Sequence, residues 1–528
     1  MTGWLRGTRR VLARLPSLRM MHVPDAPAQS VRDPWPGDPV QGAALLKGTL
    51  ALEGGTVALH AGGFGEPTGT PVLRAAVHGF TWLRDLRALG TDAARLRARS
   101  LVADWMTAPA LDPIAERPDV TGARIAAWLG HYDFFAASAD DPFRQKMMAR
   151  LVADARSLAA ALPTEEVDGR ALTAIKGLVA AAVAISDHTT FLSRALRVLP
   201  QELSRQVLPD GCHVERSPAR MMAALQDLVE IRALLQASQT TPPVALGIAI
   251  ERMAVALRTL RHGDGGLALF NGTREETAAL VELVLSQAGR AGRAQTALPQ
   301  GGFQRLQAGR TVLIADCGIP TGPRLDRSAH AGTLSFELSV GRDRMIVNCG
   351  AAIGASEQWR DALRATAAHS TLVIADMSSS EIKPEGLGRR PTRVGAQRQE
   401  AAGAHWLDAS HDGYGAPFGA THHRRLYLAA SGEDIRGEDQ VEAGKPQPFV
   451  VRFHLHPSVN ASLQQDGGGV LLRLPSGSGW RLRAEGAQLT LERSIYLGGP
   501  EPRNSEQVVL TTYEDGPQTT KWAISKVG

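Results

Sequence analysis

The stretch AHAGTLSFELSVGRDRMIVNCGA, residues 329–351, decides the fold of the second half of the chain. In its central run TLSFELS (333–339), apolar and polar side chains alternate. Leu334, Phe336 and Leu338 therefore face one way in an extended strand, and Ser335 and Glu337 face the other. A glycine turn then leads into a second short run, RMIVNC (344–349). This period of two predicts paired strands with one apolar and one polar face.

Comparable short runs continue to the carboxyl end, divided by polar or glycine-rich turns without helical patterns between them. They are TLVIAD, RRLYLAA, FVVRFHL, VLLRL, QVVLTT and KWAIS. This spacing predicts a large antiparallel β-sandwich over residues 291–528. Within it, residues 377–400 are predicted to form a long exposed connection.

The preceding part of the chain, residues 70–290, is alanine-rich and has a helical period. Apolar residues recur at intervals of three and four, as in Leu172, Ile175, Val179 and Val183. Short turn clusters separate these stripes, which predicts an array of antiparallel helices. Ser217-Pro218 has the form of a helix N-cap, and Thr273 to Glu276 has the form of a capping box. The predicted fold is therefore α+β and multidomain.

Residues 1–69 are predicted to be a basic N-terminal tail and linker. The first 21 residues contain five arginines and no acidic residue. Two arginines and a proline interrupt VLARLPSLRMM, so the uninterrupted apolar stretch of a secretory signal is missing. A solvated tail is preferred here over an amphipathic segment that touches anionic lipid or a partner. No stretch of the sequence approaches the ~18 apolar residues of a membrane span.

Composition excludes several classes of protein. The chain has 528 residues, 44% of them hydrophobic, which favours two or three domains of an ordinary globular protein. Three scattered cysteines exclude a disulfide scaffold and argue against a thiolate zinc site. The net charge of +5 is too small to require nucleic acid as a partner, but it suits an anionic substrate. Only five tyrosines occur, none of them between Tyr132 and Tyr414.

Eight of the 15 histidines lie in the predicted sandwich. Along RFHLHP, Arg452, His454 and His456 alternate with apolar residues, so a strand would present all three on one face. That face could bind a carboxylate or a sulfate. It could equally be the polar outer face of a sandwich strand, and the residues alone leave these two interpretations open.

Two further groups of residues are candidates for chemistry. His330 and His369 each precede a predicted strand and Asn348 ends another, so their loops could together bind zinc, although structural hydrogen bonding is the preferred interpretation. In the helical half, Asp187 and His188 follow a long apolar helix face, and the segment LPDGCHVERSP (208–218) gathers polar residues around a turn. An ordinary cap and turn is the preferred interpretation of that segment.

Taken together, several blocks resemble the heparinase II/III family of polysaccharide lyases over roughly residues 70–525. They are SDHTTFLSRALRVLPQEL with QVLPDGCHVERSP, AHAGTLSFELSVGRDRMIVNCGA, WRDALRATAAHSTLVI, SHDGYGAPFGATHHRRLYL and FHLHP. The resemblance implies an incomplete (α/α) toroid followed by an antiparallel β-sandwich. It also implies β-elimination of a uronic-acid-containing anionic polysaccharide bound between the domains.

That reaction needs a group to neutralise the sugar carboxylate, a base and an acid. The family's neutralising Asn-His element matches Asp187-His188, and the family's tyrosine falls at Arg220. An active lyase would therefore use a rearranged site, with His411 or Tyr414 in place of the missing base. Anionic groups would be held by Arg216, Arg220, Arg452 and His454. Glu215 is a further candidate for contact with the substrate.

The family's metal trio falls on His330, Asn348 and His369, which implies a structural Zn²⁺. The alternative function is a catalytically impaired protein on the same scaffold, either carbohydrate-binding or active in assembling envelope polysaccharide. The resemblance implies a cell-envelope or periplasmic location, whereas the lack of a clear signal peptide leaves the cytoplasm as an open alternative. A homodimer is a further expectation, and neither nucleic acid nor a transmembrane segment is expected.

Overall fold

The computed structural model describes residues 23–527 except 53–54, 60–63, 65–68, 109–111, 186–188, 290–291, 353–355, 466, 500 and 514–515. Its contacts divide the chain into two compact units. The first consists of residues 1–206, 223–250 and 353–356, and the second of residues 207–222, 251–352 and 357–528. The second unit therefore contains both the predicted sandwich and part of the predicted helical region.

The helices of the described chain lie mainly before residue 290, as the periodicity predicts. They are α1 Pro39–Leu46, α2 Pro71–Gly79, α3 Leu83–Leu89, α4 Asp92–Thr107, α5 Pro118–Gly130, α6 Tyr132–Phe135, α7 Asp141–Ala161, α8 Arg170–Ala184, α9 Thr189–Gln206, α10 Pro218–Ala237, α11 Val244–Thr259, α12 Ala278–Ala288, α13 Glu357–Arg364 and α14 Gly415–Phe418.

Helices α5 and α8 pack directly against each other through two glycines. A Cβ atom at Gly122 would lie 2.6 Å from the Thr173 carbonyl oxygen, and one at Gly177 would collide with the Gly122 backbone. The absence of side chains at these positions lets the two backbones approach closely. The predicted stripe along α8 (Leu172, Ile175, Val179 and Val183) is buried in the first unit.

Helix α8 also buries a cation. The Lys176 Nζ atom lies 2.7 Å from Asp227 Oδ1 and 3.2 Å from Glu230 Oε1, both on α10. Burial opposes the charge of this ammonium, yet the two carboxylates outweigh that effect and raise the pKa of Lys176. Two anions thus compensate one buried cation between these helices.

Part of the predicted N-terminal linker is folded. Residues 39–46 form α1, and Thr49–Leu52 pairs with Gly55–Ala58 as an antiparallel hairpin of strands β1 and β2. Leu45, Leu50 and Val57 are buried, so this segment contributes to the core of the first unit. Periodicity failed to reveal it because each element is only one or two turns, or four residues, long.

The remaining strands all lie in the second unit. They are β3 Ala297–Leu298, β4 Phe303–Ala308, β5 Thr311–Asp316, β6 Phe336–Val340, β7 Asp343–Val347, β8 Leu372–Ile374, β9 Ile382–Lys383, β10 Gly386–Leu387, β11 Val394–Ala401, β12 Ala404–His411, β13 Ala420–Leu428, β14 Asp434–Ala443, β15 Phe449–Leu455, β16 Asn460–Leu463, β17 Val470–Arg473, β18 Gly479–Glu485, β19 Gln488–Tyr496, β20 Arg503–Thr511 and β21 Thr519–Val527.

These strands form two large sheets, in which every pairing between named strands is antiparallel. One sheet has eight strands in the order β11-β12-β13-β14-β21-β18-β17-β16. The other has nine, in the order β19-β20-β15-β7-β6-β5-β4-β3, with β8 paired to β15. One hydrophobic core draws on both sheets, and Phe336 of the second stacks on Trp522 of the first at 5.6 Å between ring centroids. The predicted antiparallel β-sandwich after a helical region is confirmed.

The polar face of TLSFELS is not exposed to solvent as alternation suggests. Ser335 and Glu337 are fully buried, because the segment after α11 covers this side of β6. His262 Nε2 lies 2.9 Å from Glu337 Oε2, and the Leu269 amide donates to the same carboxylate oxygen. Alternation identified the strand but not the chain segment that covers its second face.

Three local predictions have different outcomes. The Ser217 hydroxyl accepts from the Arg220 amide at 3.4 Å, which confirms the N-cap of α10. Thr273 does not open a helix, because α12 begins at Ala278 and is capped by Thr277. Residues 377–400 do not form a plain connection, since they contain β9, β10 and most of β11.

Candidate functional site

The described residues locate a polar cluster within the second unit, where a turn, three loops and the ends of two strands meet. Asp187 and His188, the pair that matches the family's neutralising element, lie outside the described residues. The cluster consists of five other predicted residues together with Asp316 and Asn271, which the sequence analysis did not single out; the five are Glu215, Arg216, Arg220, His330 and His369.

Arg216 lies at the centre of this cluster, and its three guanidinium nitrogens all bind protein groups. Its Nε donates to the Gly301 carbonyl at 2.6 Å, its Nη1 donates to the Ile319 carbonyl at 3.1 Å, and its Nη2 pairs with Asp316. The backbone at Arg216 is left-handed, with φ of 55°. A buried guanidinium already neutralised by a carboxylate is a structural tie and not a free anion-binding group.

Asn271 links Arg216 to the histidines. Its amide nitrogen donates to the Arg216 carbonyl at 2.9 Å, and its amide oxygen accepts from the His330 backbone N–H at 3.1 Å. Asn271 also has a left-handed backbone, with φ of 49°. Two strained residues joined by a hydrogen bond are a feature that often marks a functional site.

The two predicted metal histidines meet directly. His330 Nδ1 lies 3.1 Å from His369 Nε2, and His369 Nδ1 lies 2.8 Å from the Ala365 carbonyl oxygen. That carbonyl accepts a hydrogen bond from the Nδ1–H of neutral His369. The Nε2 of His369 therefore carries no proton and accepts a hydrogen bond from the Nδ1–H of His330. Burial lowers the pKa of His369 to about 4 and that of His330 well below its usual value.

Asn348, the third predicted ligand, is engaged elsewhere. Its Oδ1 accepts from the Ser370 amide at 3.0 Å, and its Nδ2 is 3.5 Å from the Leu269 carbonyl. Among the described residues, no group of three or more histidine, cysteine, aspartate and glutamate side chains is arranged to hold a metal ion. The donors present do not fit a zinc site in this hydrogen-bonded arrangement. Zinc binding stays a prediction from the resemblance.

Arg220 and Glu215 flank the cluster. The Arg220 Nε donates to the Ser328 hydroxyl at 3.3 Å, two residues before His330. Glu215 is buried, with Oε1 3.9 Å from His213 Nδ1. Arg220 is half-buried and therefore remains the more accessible candidate for contact with an anionic group.

Tyr414 and His411, the predicted substitutes for the missing base, lie in the sandwich core. Tyr414 is fully buried, and its hydroxyl donates to the Leu372 carbonyl at 2.9 Å. Burial raises the pKa of this phenol. A phenol enclosed in this way does not reach a substrate proton, so the structure corrects the role expected from the HDGY loop.

His411 belongs to a chain of hydrogen bonds in the same core. Its Nδ1 accepts from the Gly413 amide at 3.0 Å, which places its proton on Nε2, 3.3 Å from His422 Nδ1. His422 then donates through Nε2 to Asp439 at 2.8 Å. Arg424 and Trp522 donate to the same carboxylate. Both histidines are thus neutral structural links.

Arg452 and His454 of RFHLHP form neither an anion-binding face nor the polar outer face of a sandwich strand. His454 on β15 is buried, where its Nδ1 lies 2.8 Å from the Ser494 hydroxyl and its Nε2 lies 2.9 Å from the Ala367 carbonyl. Burial lowers its pKa to about 3. Arg452 is half-buried, with Nη1 3.3 Å from Gln507 Oε1. These two side chains tie β15 to its neighbours and do not form an exposed anion site.

The sequence analysis missed a second polar cluster around Glu275. Its carboxylate accepts from Tyr496 and lies 3.2 Å from His456 Nε2, and Arg344 lies 3.8 Å away. Burial opposes the charge, yet the hydrogen bond from His456 and the charge of Arg344 outweigh it and lower the pKa of Glu275 to about 2. The four residues are far apart in sequence, and no motif joins them.

Asp316 and Asn271 were also missed. Asp316 closes the strand run TVLIAD, and a carboxylate at a strand end was a signal that could have been used. Asn271 precedes a glycine in a turn, which gives no hint of its contacts. The described cluster can order loops and can present Arg220 to an anion, but a base with access to substrate is not found among its described residues.

Comparisons with known proteins agree with this architecture. Residues 290–523 match the family model for the heparinase II/III-like C-terminal domain. The chain is 33% identical to FtsZ-localized protein C of Caulobacter vibrioides over 95% of this chain and 91% of that protein. It is similar in structure to heparinase III, with a TM-score of 0.75 at 13% identity over 99% of this chain and 89% of that one. A heparan sulfate lyase from Pedobacter heparinus gives a TM-score of 0.60 at 16% identity over 99% and 87%.

Proposed function

The chain belongs to the heparinase II/III-like family, and we propose that it uses the polysaccharide lyase-like scaffold to bind an anionic, uronic-acid-containing polysaccharide without cleaving it. Binding and cleavage are separable on such a scaffold, because function resides in the site and not in the fold. The half-buried Arg220 and the net positive charge support an anionic ligand.

This proposal rests on the burial of Tyr414 and on the hydrogen bonds that occupy both ring nitrogens of His411. β-Elimination needs a base within hydrogen-bond reach of the proton next to the sugar carboxylate. Tyr414 is enclosed in the sandwich core, and both nitrogens of His411 already have partners there. The position of the family's tyrosine holds Arg220, and a guanidinium is a poor base.

An active lyase with a rearranged site is the second candidate function. It is favoured by the family and by the unprotonated Nε2 of His330 in this tautomer, although burial of this imidazole means that the loops around it would have to open. In that case His188 would neutralise the sugar carboxylate or protonate the departing oxygen. The reaction would be β-elimination of the same class of polymer.

We further propose that the protein acts at the division site of the cell envelope. The support is the relative named FtsZ-localized protein C, which aligns with almost the whole chain. A bound polysaccharide and an FtsZ-based assembly would be brought together by one protein. Within the described part of the chain, no helix is long and apolar enough to cross a bilayer.

One experiment distinguishes the lytic from the non-lytic candidate function. The full chain is incubated with heparan sulfate, alginate and polygalacturonate, and unsaturated product is followed by its absorbance near ~230 nm. We expect no product, together with saturable binding of at least one polymer. Product that is lost in Arg220→Ala and retained in Arg493→Ala, a change at an exposed arginine on β19, would replace the proposal with the lyase.

The division-site proposal is tested separately by co-sedimentation with FtsZ polymers. We expect the full chain to pellet with polymerised FtsZ and to remain in solution with unpolymerised FtsZ. Equal amounts in the pellet with and without FtsZ polymers would contradict a direct link and would leave the polysaccharide measurement unaffected.

A further inference from the structure

The outer face of the eight-stranded sheet carries two parallel rows of side chains that cross six strands. The pairing register places the members of each row directly opposite one another from β11 through β18. The first row is Gln399, Trp406, Tyr427, Arg436, Ala523 and Arg483. The second row is Gln397, Asp408, Arg425, Glu438, Lys521 and Glu485.

The first row contains an aromatic platform, formed by Trp406 and Tyr427, and a gap above the small side chain of Ala523. Trp406 is 41% exposed, although an indole of this size is usually covered. Its ring centroid lies 5.2 Å from that of Tyr427, and the Arg436 guanidinium lies 5.8 Å from the Tyr427 ring. Ala523 follows in the row, and its small side chain leaves room. The rows line a groove of about 1070 Å³ on this face.

The second row is a ladder of alternating charges that are compensated within the protein. Arg425 lies 3.2 Å from Asp408 and 3.0 Å from Glu438, and Lys521 lies 3.9 Å from Glu438. Adjacent opposite charges in this row give it no field that would attract a strongly charged polymer. The same side chains keep hydrogen-bonding capacity for hydroxyl and amide groups.

We propose that this groove binds a neutral glycan chain. The apolar face of a pyranose ring matches the exposed aromatic platform, and its hydroxyl groups match the adjacent compensated polar row. Five steps between strands at ~4.8 Å give the rows a length of roughly 24 Å, enough for four to five sugar units. The backbone groups of these strands are already paired in the sheet, so a peptide cannot add to this face as a strand.

This site is independent of the proposed function, which concerns an anionic polymer at another part of the second unit. The two are distinguished by measuring each ligand with the same proteins. The probes are the hexasaccharide of β-1,4-linked N-acetylglucosamine, which is neutral, and a heparan sulfate hexasaccharide, which is anionic. Binding is followed by calorimetry and by the change in intrinsic tryptophan fluorescence, to which Trp406 contributes.

We expect the neutral hexasaccharide to bind the full chain, and Trp406→Ala and Tyr427→Ala each to weaken it by about tenfold or more. Ala523→Gln should weaken it similarly, because it fills the gap and leaves both aromatic rings in place. Tyr513→Ala, which removes another exposed aromatic residue, should have no effect. Heparan sulfate binding should be the same in all four variants.

Three results would overturn the proposal. One is failure of the neutral hexasaccharide to bind the wild-type chain at millimolar concentration. Another is binding that Ala523→Gln and Trp406→Ala leave unchanged in variants with wild-type melting temperatures. The third is preferential binding of the anionic hexasaccharide, or of FtsZ, to the Trp406 surface.

Discussion

His422 Nε2 lies 2.8 Å from Asp439 Oδ1 in the core of the β-sandwich, and the other nitrogen of this imidazole faces His411. Burial lowers the pKa of His422, although the hydrogen bond to Asp439 and the charge of Asp439 oppose this effect. Burial also lowers the pKa of His411, with the neighbouring His422 adding to the effect. The two imidazoles are therefore neutral in the fold and take up protons when it opens.

This arrangement predicts a loss of stability on acidification. The unfolded histidines protonate as the pH falls below ~6.5, whereas the folded ones do not, so protons favour the unfolded chain. Each such histidine lowers the free energy of unfolding by about 1.4 kcal/mol per pH unit in that range. Calorimetric melting from pH 7.5 to 4.5 should show a falling melting temperature.

The matched variants for this pH dependence are His422→Gln and His423→Gln. His423 is the next residue on β13, but it faces outward and pairs with Glu442. His422→Gln should lower the melting temperature at pH 7.5 and flatten its fall toward pH 5, while His423→Gln keeps the wild-type slope. If neither substitution changes the slope of melting temperature against pH, the pH dependence does not come from the buried His422.

The glycines between α5 and α8 give a second prediction. Gly122→Ala places a methyl group 2.6 Å from the Thr173 carbonyl oxygen, so the helices must separate. We expect a loss of about 1–3 kcal/mol in the free energy of unfolding, as for overpacked cores. Gly247→Ala on α11 meets nothing within 4 Å and should stabilise the protein by about 0.5–1 kcal/mol. Urea unfolding of both variants checks the opposite signs.

Local patterns in the sequence predicted individual helices and strands, but they did not predict contacts between distant segments. The period of TLSFELS specified strand β6 and the stripe of α8 specified a helix, because both patterns are local. The burial of Glu337 by His262, and the pairing of His330 with His369, depend on segments more than 35 residues apart in the chain. Loop geometry, not local spacing, brings such residues together, so the site could be predicted only through family resemblance.

Metal removal tests the histidine pair. In this structure the Nε2 lone pair of His369 accepts from His330, and the Asn348 oxygen accepts from Ser370. We expect incubation with EDTA to leave the melting temperature unchanged and metal analysis to find well under one zinc ion per chain. A structural zinc would instead stabilise the fold, so a drop of several degrees that added zinc restores would establish the family's metal site here.

The last prediction separates a structural tyrosine from a catalytic one. Tyr414→Phe removes only the hydroxyl that donates to the Leu372 carbonyl at 2.9 Å and leaves the ring in the core. The orphaned carbonyl should cost about 1–2 kcal/mol of unfolding free energy. Polysaccharide binding should not change, because the ring is fully enclosed. Tyr427→Phe, on the outer face of β13, is the matched control for stability and should change it by less than about 0.5 kcal/mol. If wild-type protein releases unsaturated product and Tyr414→Phe abolishes that release while melting as expected, the phenol is a base and the core of this sandwich must open during turnover.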